Sequence, residues 1–277
     1  MQRGELRSVL LDALPAGTVR WGHRVRAVRD RGAGRHELTL ADGATRDTDV
    51  LVGADGAWSR IRPLLSDATP TYAGVTMVET YLDRDGEQHR AAAALVGGGT
   101  TLALAPGRGI MVHRERFGRL HAWAQMLVPP DWADGLDGTD PAATTARVAR
   151  EYDGWDTALT ALITGRGTPP VVRRIHTLPA GHRWERTPGV TLLGDAAHLQ
   201  PPNGEGANVA MLDGAELGRA LAAHPDDPEA ALTEYERDLF PRAAAAATES
   251  DNYRRLFGDD APHGLIADFD AAHRAAA

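Results

Sequence analysis

The sequence predicts a mixed α/β (α+β) chain, on three observations. The apolar run Val190 to Leu193 ends on Gly194-Asp195, then a small-residue loop and a helical pattern follow, the mark of a buried strand feeding a helix. Near the start, DVLVGADGAWSRIRPLL repeats the order of strand, glycine turn and helix. Between them, from about Tyr72 to Leu178, apolar positions alternate over longer stretches, which points to an antiparallel sheet with one polar face. Residues 1–70 and 179–277 thus form one unit, and 71–178 an inserted one.

Taken in order, Leu6, Val9, Leu10, Ala13 and Leu14 recur at helical spacing and predict a core-facing helix, stopped by Pro15 and Gly17. Short strands are expected at Thr18 to Trp21, Val25 to Val28, His36 to Leu40 and Val50 to Gly53, the middle two joined by a Gly32-Ala33-Gly34 turn. The inserted unit is expected to carry strands at Val75 to Leu82, Ala91 to Val96, Thr101 to Ala105, Ile110 to His113 and Leu120 to Val128. Pro129-Pro130-Asp131-Trp132 ends this run, helices follow through Ala142 to Tyr152 and Ala158 to Ile163, and Val171 to Leu178 returns the chain to the first unit. Asp227-Pro228 starts a long helix, the acid as N-cap and proline at the first position. It runs toward Phe257 with a kink expected at Pro241.

The chemistry concentrates between Gly189 and Leu221. A strand-end carboxylate, Asp195, is followed by Pro201-Pro202-Asn203-Gly204-Glu205-Gly206 and a helix start. Glycines let backbone N–H groups come close to a ligand, and the helix turns its positive end to the same place. Such a site suits a polyhydroxylated, partly anionic ligand. Asp55-Gly56 sits where the other strand meets a helix start, so it belongs to the same candidate site. His113 and His121 fall on strands of the insert; most strand histidines are structural, and His121 is the better candidate for a substrate contact.

These motifs resemble those of the FAD-dependent aromatic hydroxylases, the para-hydroxybenzoate hydroxylase class of monooxygenases. The family pattern is G-D-A-A-H, a proline pair, G-x-G-x-N and an acid in the next helix. The chain supplies Gly194-Asp195-Ala196-Ala197-His198, Pro201-Pro202, Gly204-Glu205-Gly206-Ala207-Asn208 and Asp213, with one departure, a loop one residue short between Pro202 and Gly204. Gly53, Asp55, Gly56, Ser59 and Arg62 match the family's D-G motif, and Arg3 matches an arginine that reaches FAD. Within the family the chain looks most like the tetracycline-inactivating flavin monooxygenases, which implies antibiotic modification.

The resemblance implies an incomplete Rossmann-like FAD-binding domain with an inserted antiparallel substrate domain. It implies that Asp195 holds the ribityl chain, that Gly204 to Asn208 lie along the pyrimidine edge of the flavin, and that Asp55 lies near the pyrophosphate and the nicotinamide path. NADPH or NADH would reduce FAD, and the reduced flavin would use dioxygen to hydroxylate an aromatic or polyketide-like molecule. The cofactor carries that chemistry, so no catalytic side chain is expected.

Composition removes most rivals. A net charge of −8 and a pI near 5.7 argue against nucleic-acid or anionic-membrane partners. There is no cysteine and no lysine, which excludes thiolate metal sites, P-loop NTPases and Schiff-base enzymes. No metal site is expected. With no signal-like segment and no run approaching a membrane span, a cytoplasmic protein is the simplest expectation. A flavin-dependent halogenase on the same fold would be expected to need a lysine.

The 277 residues hold no G-x-G-x-x-G fingerprint, the unit that grips the ADP half of FAD. The expectation is a fragment or misplaced start, a degenerate protein, or a unit supplied by another polypeptide. An exposed sheet edge would then invite a second chain or a dimer. The alternatives to the monooxygenase are a flavin-dependent reductase and a non-catalytic small-molecule-binding remnant without FAD.

Overall fold

The computed structural model of the chain describes residues 3–136, 138–251 and 253–275. Helix α1 (Arg3–Asp12) leads into a three-stranded antiparallel sheet, β1 (Val25–Gly32), β2 (Arg35–Leu40) and β3 (Thr45–Thr48). Gly32, Ala33 and Gly34 all take positive φ (81°, 53° and 75°), the backbone twist a tight hairpin turn requires. Thr18 to Trp21 is a turn and not the expected strand. Thr18 donates both its N–H and its hydroxyl to the Pro15 carbonyl, 3.2 and 2.8 Å away, so the chain doubles back there. The α1 stripe expected to face a core is exposed: Val9 is 57% and Leu10 51% accessible.

β4 (Leu51–Gly53) pairs in parallel with β10 (Val190–Leu192), Leu51 opposite Val190 and Gly53 opposite Leu192. β10 is buried on both faces, as a continuous apolar run in an α/β sheet should be. Its outer carbonyls are closed by side chains: Arg186 donates to Val190 O at 2.7 Å, and the Tyr235 hydroxyl to Leu192 O at 3.0 Å. Among the described residues this sheet has two strands, and no strand pairs with the outer edge of β4.

All strands of the larger sheet lie between Thr71 and Thr177: β5 (Thr71–Tyr81), β6 (Thr100–Ala105), β7 (Arg108–Arg114), β8 (Leu120–Leu127) and β9 (Val171–Thr177). They run antiparallel in the order β6-β7-β8-β5-β9. The expected strand at Ala91 to Val96 is instead the body of helix α2 (Glu87–Val96). Its alanine run is the strongest helix former in the set, and Gly86 and Gly97 at positive φ close both ends. Helices α3 (Pro141–Glu151) and α4 (Thr157–Thr164) are capped by Asp140 and Asp156, each accepting from a backbone N–H of the first turn.

These helices bury one face of the sheet. Val78, Ile110, Ala124 and Met126 pack with Val148, Tyr152, Leu162 and Ile163, each large aliphatic side chain contributing roughly 1.5–3 kcal/mol by leaving water. The Tyr152 hydroxyl donates to Gly109 O and Gln125 O, so its polar end is satisfied inside the core. Strand alternation turns Glu79, Tyr81, His121 and Trp123 to the opposite face.

The return segment forms β10, the single turn α5 (Asp195–His198), α6 (Gly206–Ala223), α7 (Pro228–Asp251) and α8 (His263–Ala275). Asp227 caps α7 as expected, its carboxylate accepting from Ala230 N at 3.0 Å. The helix runs through Pro241 and ends at Asp251, before a 3-10 turn at Arg254–Phe257. A second core joins Leu51, Ile61, Val190 and Leu192 to Leu217, Leu232 and Leu239.

Gly53 ends β4 where this core is tightest: a Cβ there would lie 2.5 Å from Leu192 Cδ2 and 2.9 Å from Ile61 Cβ. Gly53→Ala is expected to destabilise the chain by about 1–3 kcal/mol through overpacking, read as a lower urea midpoint with an unchanged slope.

Candidate functional site

Parallel pairing of β4 with β10 brings two strand tips side by side, Ala54-Asp55-Gly56 beside Leu193-Gly194-Asp195, with Leu193 N donating to Gly53 O at 3.0 Å. Ligands in open α/β sheets bind beyond the carboxyl ends of such strands. Gly194 takes φ 57°, ψ −144°, and a Cβ on it would sit 3.1 Å from Ala210 Cβ, so the turn needs glycine both for its dihedrals and for the approach of α6. The next residue, Asp195, is exposed, whereas Ala196, Ala197 and His198 behind it are buried.

Arg62 locks the two tips together. Only 3% exposed, it donates Nε–H to Ala196 O at 2.8 Å and Nη2 to Ala57 O at 2.8 Å and Asp195 O at 3.2 Å. Burial lowers its pKa, and the negative charge of Asp55 pulls it back up. The Ser59 hydroxyl oxygen accepts from Ile61 N and Arg62 N, and Asp55 Oδ2 accepts from Arg60 N at 2.7 Å, so the D-G segment is organised by its own side chains. Gly56 has φ 79°, which frees the turn after Asp55.

His182 holds the other side. It lies 2.6 Å from Ala197 O through Nδ1 and 2.9 Å from Ser66 Oγ through Nε2, and burial pushes its pKa down. A carbonyl can only accept, so the neutral ring carries its proton on Nδ1 and Nε2 accepts from Ser66.

The loop after α5 runs from half-buried Pro201 through exposed Gly204 and Glu205 to the start of α6. Glu205 N donates to Asn203 Oδ1, and the Glu205 carboxylate accepts from Asn208 Nδ2 at 3.0 Å. The first i to i−4 bond of α6 runs from Val209 N to Glu205 O at 3.0 Å, which leaves the amides of Gly206, Ala207 and Asn208 outside the helical ladder. No atom lies within 4 Å of a Cβ built on Gly204 or Gly206, so the loop face is open.

Asp55, Gly56, Gly194 and Asp195 therefore meet at one sheet edge with Pro201 and the Gly204–Asn208 loop close in sequence beyond it. Arg3 begins α1, and its side chain lies outside the described residues. His121 stands apart. It pairs with Tyr81, some nine residues and roughly 30 Å of strand from Tyr72, whose ring contacts His176 near Trp58. Its ring lies between Tyr81 (centroids 3.9 Å) and Trp123 (3.7 Å), with Glu115 Oε1 3.4 Å from Nδ1 and Glu79 Oε2 3.8 Å from Nε2. Burial lowers the His121 pKa while the two carboxylates oppose it.

Sequence reasoning matched Arg62 and Asp213 to motifs without giving them roles, and missed His182 and Arg242. Asp213, on α6 and 0% exposed, accepts from Gly194 N (2.9 Å), His198 Nε2 (2.6 Å) and Arg242 Nη2 (2.9 Å). Burial alone would raise its pKa; the His198 and Arg242 donors and the Gly194 amide hold it below the ordinary carboxylate value instead. The signal for Asp213 was an acid at helical spacing from Leu217 and Ala220, on the buried stripe of α6; nothing in the sequence marked His182.

A family model described as "FAD binding domain" matches residues 4–250. Monooxygenase penA of Penicillium thymicola is 29% identical over 300 residues, covering 89% of this chain and 69% of that protein. The structure of Klebsiella pneumoniae HpxO complexed with FAD and uric acid superimposes with a TM-score of 0.78 at 25% identity, over 98% of this chain and 67% of that one. The tetracycline destructase Tet(51) shares the fold, with a TM-score of 0.68 at 18% identity over 94% of this chain and 68% of that one.

Arg62→Leu keeps bulk but strips the donors from three carbonyls, and is expected to cost about 2–4 kcal/mol in chemical denaturation. The depressed pKa of Asp213 stabilises the fold above the ordinary carboxylate value of about 3.9 and is lost as pH falls through the folded value. The acid limb of a stability–pH curve should therefore flatten in Asp213→Asn, measured by urea midpoints across pH 2–6. The match over residues 4–250, together with the two strand tips, places this chain in the FAD binding domain family of flavin-dependent monooxygenases.

Proposed function

We propose that the chain is the flavin-holding part of an FAD-dependent monooxygenase that uses NADPH or NADH and dioxygen to hydroxylate an aromatic or polyketide-like small molecule. The observation that carries this reading is the exposed Asp195 residue at a parallel strand tip, followed a few residues on by the amides of Gly206, Ala207 and Asn208 that stand outside the helical ladder of α6. That donor set fits a flavin: a carboxylate for ribityl hydroxyls, and helix-start amides for the electron-rich pyrimidine edge. FAD, when bound, supplies the redox chemistry and the activation of dioxygen.

The chain's own residues do the positioning. Gly194 sets the turn that aims Asp195 outward, and Pro201, Gly204 and Glu205 shape the loop that carries the three amides. Asp55 and Gly56 sit at the neighbouring tip, on the pyrophosphate and nicotinamide side, and Arg3 is assigned to FAD by its motif alone. Residues 1–70 and 179–277 make the FAD-binding unit, and 71–178 the substrate unit. The sheet face away from the helices carries half-buried Glu79, Tyr81, His121 and Trp123, rings and carboxylates suited to a polar aromatic ligand. His121 Nε2 is buried without a hydrogen-bond partner among the described residues, and is the nitrogen a substrate group would engage. The exposed α1 stripe and the outer edge of β4 are the surfaces a second chain or a dimer would cover.

The comparison with HpxO supports the small-molecule reading. HpxO has been solved with FAD and uric acid, a heteroaromatic ligand. No helix among the described residues is long and apolar enough to cross a membrane.

Purified protein incubated with FAD and passed over a desalting column is expected to retain a flavin absorption band, and Asp195→Ala to lose most of it. NADPH-dependent oxygen uptake by the loaded chain would then separate a monooxygenase or reductase from a binding remnant, and a hydroxylated product would separate the first two. Absence of retained flavin in the wild-type chain would rule out catalysis by this polypeptide alone.

A further inference from the structure

Behind the Gly194 turn lies a buried carboxylate that the proposed chemistry does not touch. Asp213 Oδ2 accepts from both Gly194 N and His198 Nε2, which are the residue before α5 and its last residue. α5 is a single turn whose own bonds are Ala197 N and His198 N to Gly194 O, at 2.8 and 2.9 Å. An isolated turn is too short to hold its own conformation. The carboxylate spans it from end to end and braces it from the inside.

The brace faces away from the ligand side. Asp213 is fully buried, while Asp195, next to Gly194, is exposed. Arg62 and His182 hold the carbonyls of Asp195, Ala196 and Ala197, and Asp213 takes a backbone donor at the tip, the Gly194 N–H. Because the acceptor is a carboxylate, each of these hydrogen bonds is charge-assisted, and the Asp213 charge is balanced by Arg242 on α7.

We propose that Asp213 is a positioning residue for the flavin site, fixing the Gly194 turn through the Gly194 amide and His198 so that the Asp195 carboxylate faces the ligand. The inference rests on the reading of Asp195 given above. Arg242 is part of the device: it anchors Asp213 and thereby couples the strand tip to the packing of α7.

Asp213→Asn keeps the shape but places an amide NH2 against one of the surrounding donors. In the free chain, hydrogen exchange at the amides of Gly194 to His198 is expected to speed up by about tenfold or more, with the amides of β5, β7 and β8 unchanged. The FAD dissociation constant should rise by about 10–100-fold. Arg242→Gln should move both readouts in the same direction by less, and carries the test if Asp213→Asn does not fold. Asp195→Ala should weaken FAD without altering exchange. The double variant Asp195→Ala, Asp213→Asn should bind FAD no worse than Asp195→Ala alone, because Asp213 acts through Asp195; additive losses would show a merely structural role and overturn the proposal. If the wild-type chain takes up FAD, Asp195→Ala loses it and Asp213→Asn binds like wild type, the proposal falls and the Asp195 reading stands. If the wild-type chain takes up none, both fall, and the exchange data show separately whether Asp213 holds the turn.

Discussion

The site depends on the parallel pairing of Leu51–Gly53 with Val190–Leu192 and on the arginine that bolts the two tips together. Arg62 and the Ala196 carbonyl it binds are 134 positions apart, separated by the whole five-stranded sheet. Hydrogen bonds of a three-residue parallel ladder would not hold such a contact alone. The apolar burial of Val190 and Leu192 supplies the driving force, and the guanidinium fixes the geometry by satisfying three carbonyls, of which that of Ala196 is buried.

Buried polar groups recur around this junction, each with several partners. Glu236, 4% exposed, accepts from Trp184 Nε1, Arg186 Nη1 and Thr191 Oγ1 at 3.0, 2.8 and 2.7 Å. Asp213 does the same for Gly194, His198 and Arg242. Networks of this kind add little net stability over an apolar core, yet they penalise any shift that leaves a member unpaired. They belong next to a site where a backbone turn must hold one shape. The inserted sheet is packed on its helix-covered face mostly by aliphatic side chains and alanine, with Trp132 and Tyr152 among them.

Much of this arrangement was legible in the residues. The strands at Val25, His36, Val50 and Val190, the hairpin glycines and the Asp227 cap follow from local rules, and the strand-turn-helix order around Gly194 marked the segment that the structure sets beside Asp55-Gly56. Ala91 to Val96 failed because a short apolar run fits either period, and length and alanine content favoured helix. β3, with the sequence Thr-Arg-Asp-Thr, has no apolar period and exists only because β2 pairs with it. The roles of His182 and Arg242 depend on which distant carbonyl or carboxylate they meet, and spacing along the chain carries no record of that. The α1 stripe shows the converse: its periodicity was read correctly as helix, but periodicity does not say whether a partner surface lies over it.

The two edges of the small parallel sheet are chemically unlike. On β10 the outward carbonyls of Val190 and Leu192 are already taken by Arg186 and Tyr235, so no strand can register against them without displacing those two side chains. Growth of this sheet is therefore unidirectional, through Val52 of β4. A strand docking there in the same sense would end beside Asp55, and any helix it fed would aim its first amides across the Asp55-Gly56 tip. The asymmetry of the edges thus dictates on which flank of the crevice the remainder of a long, two-headed ligand would be gripped.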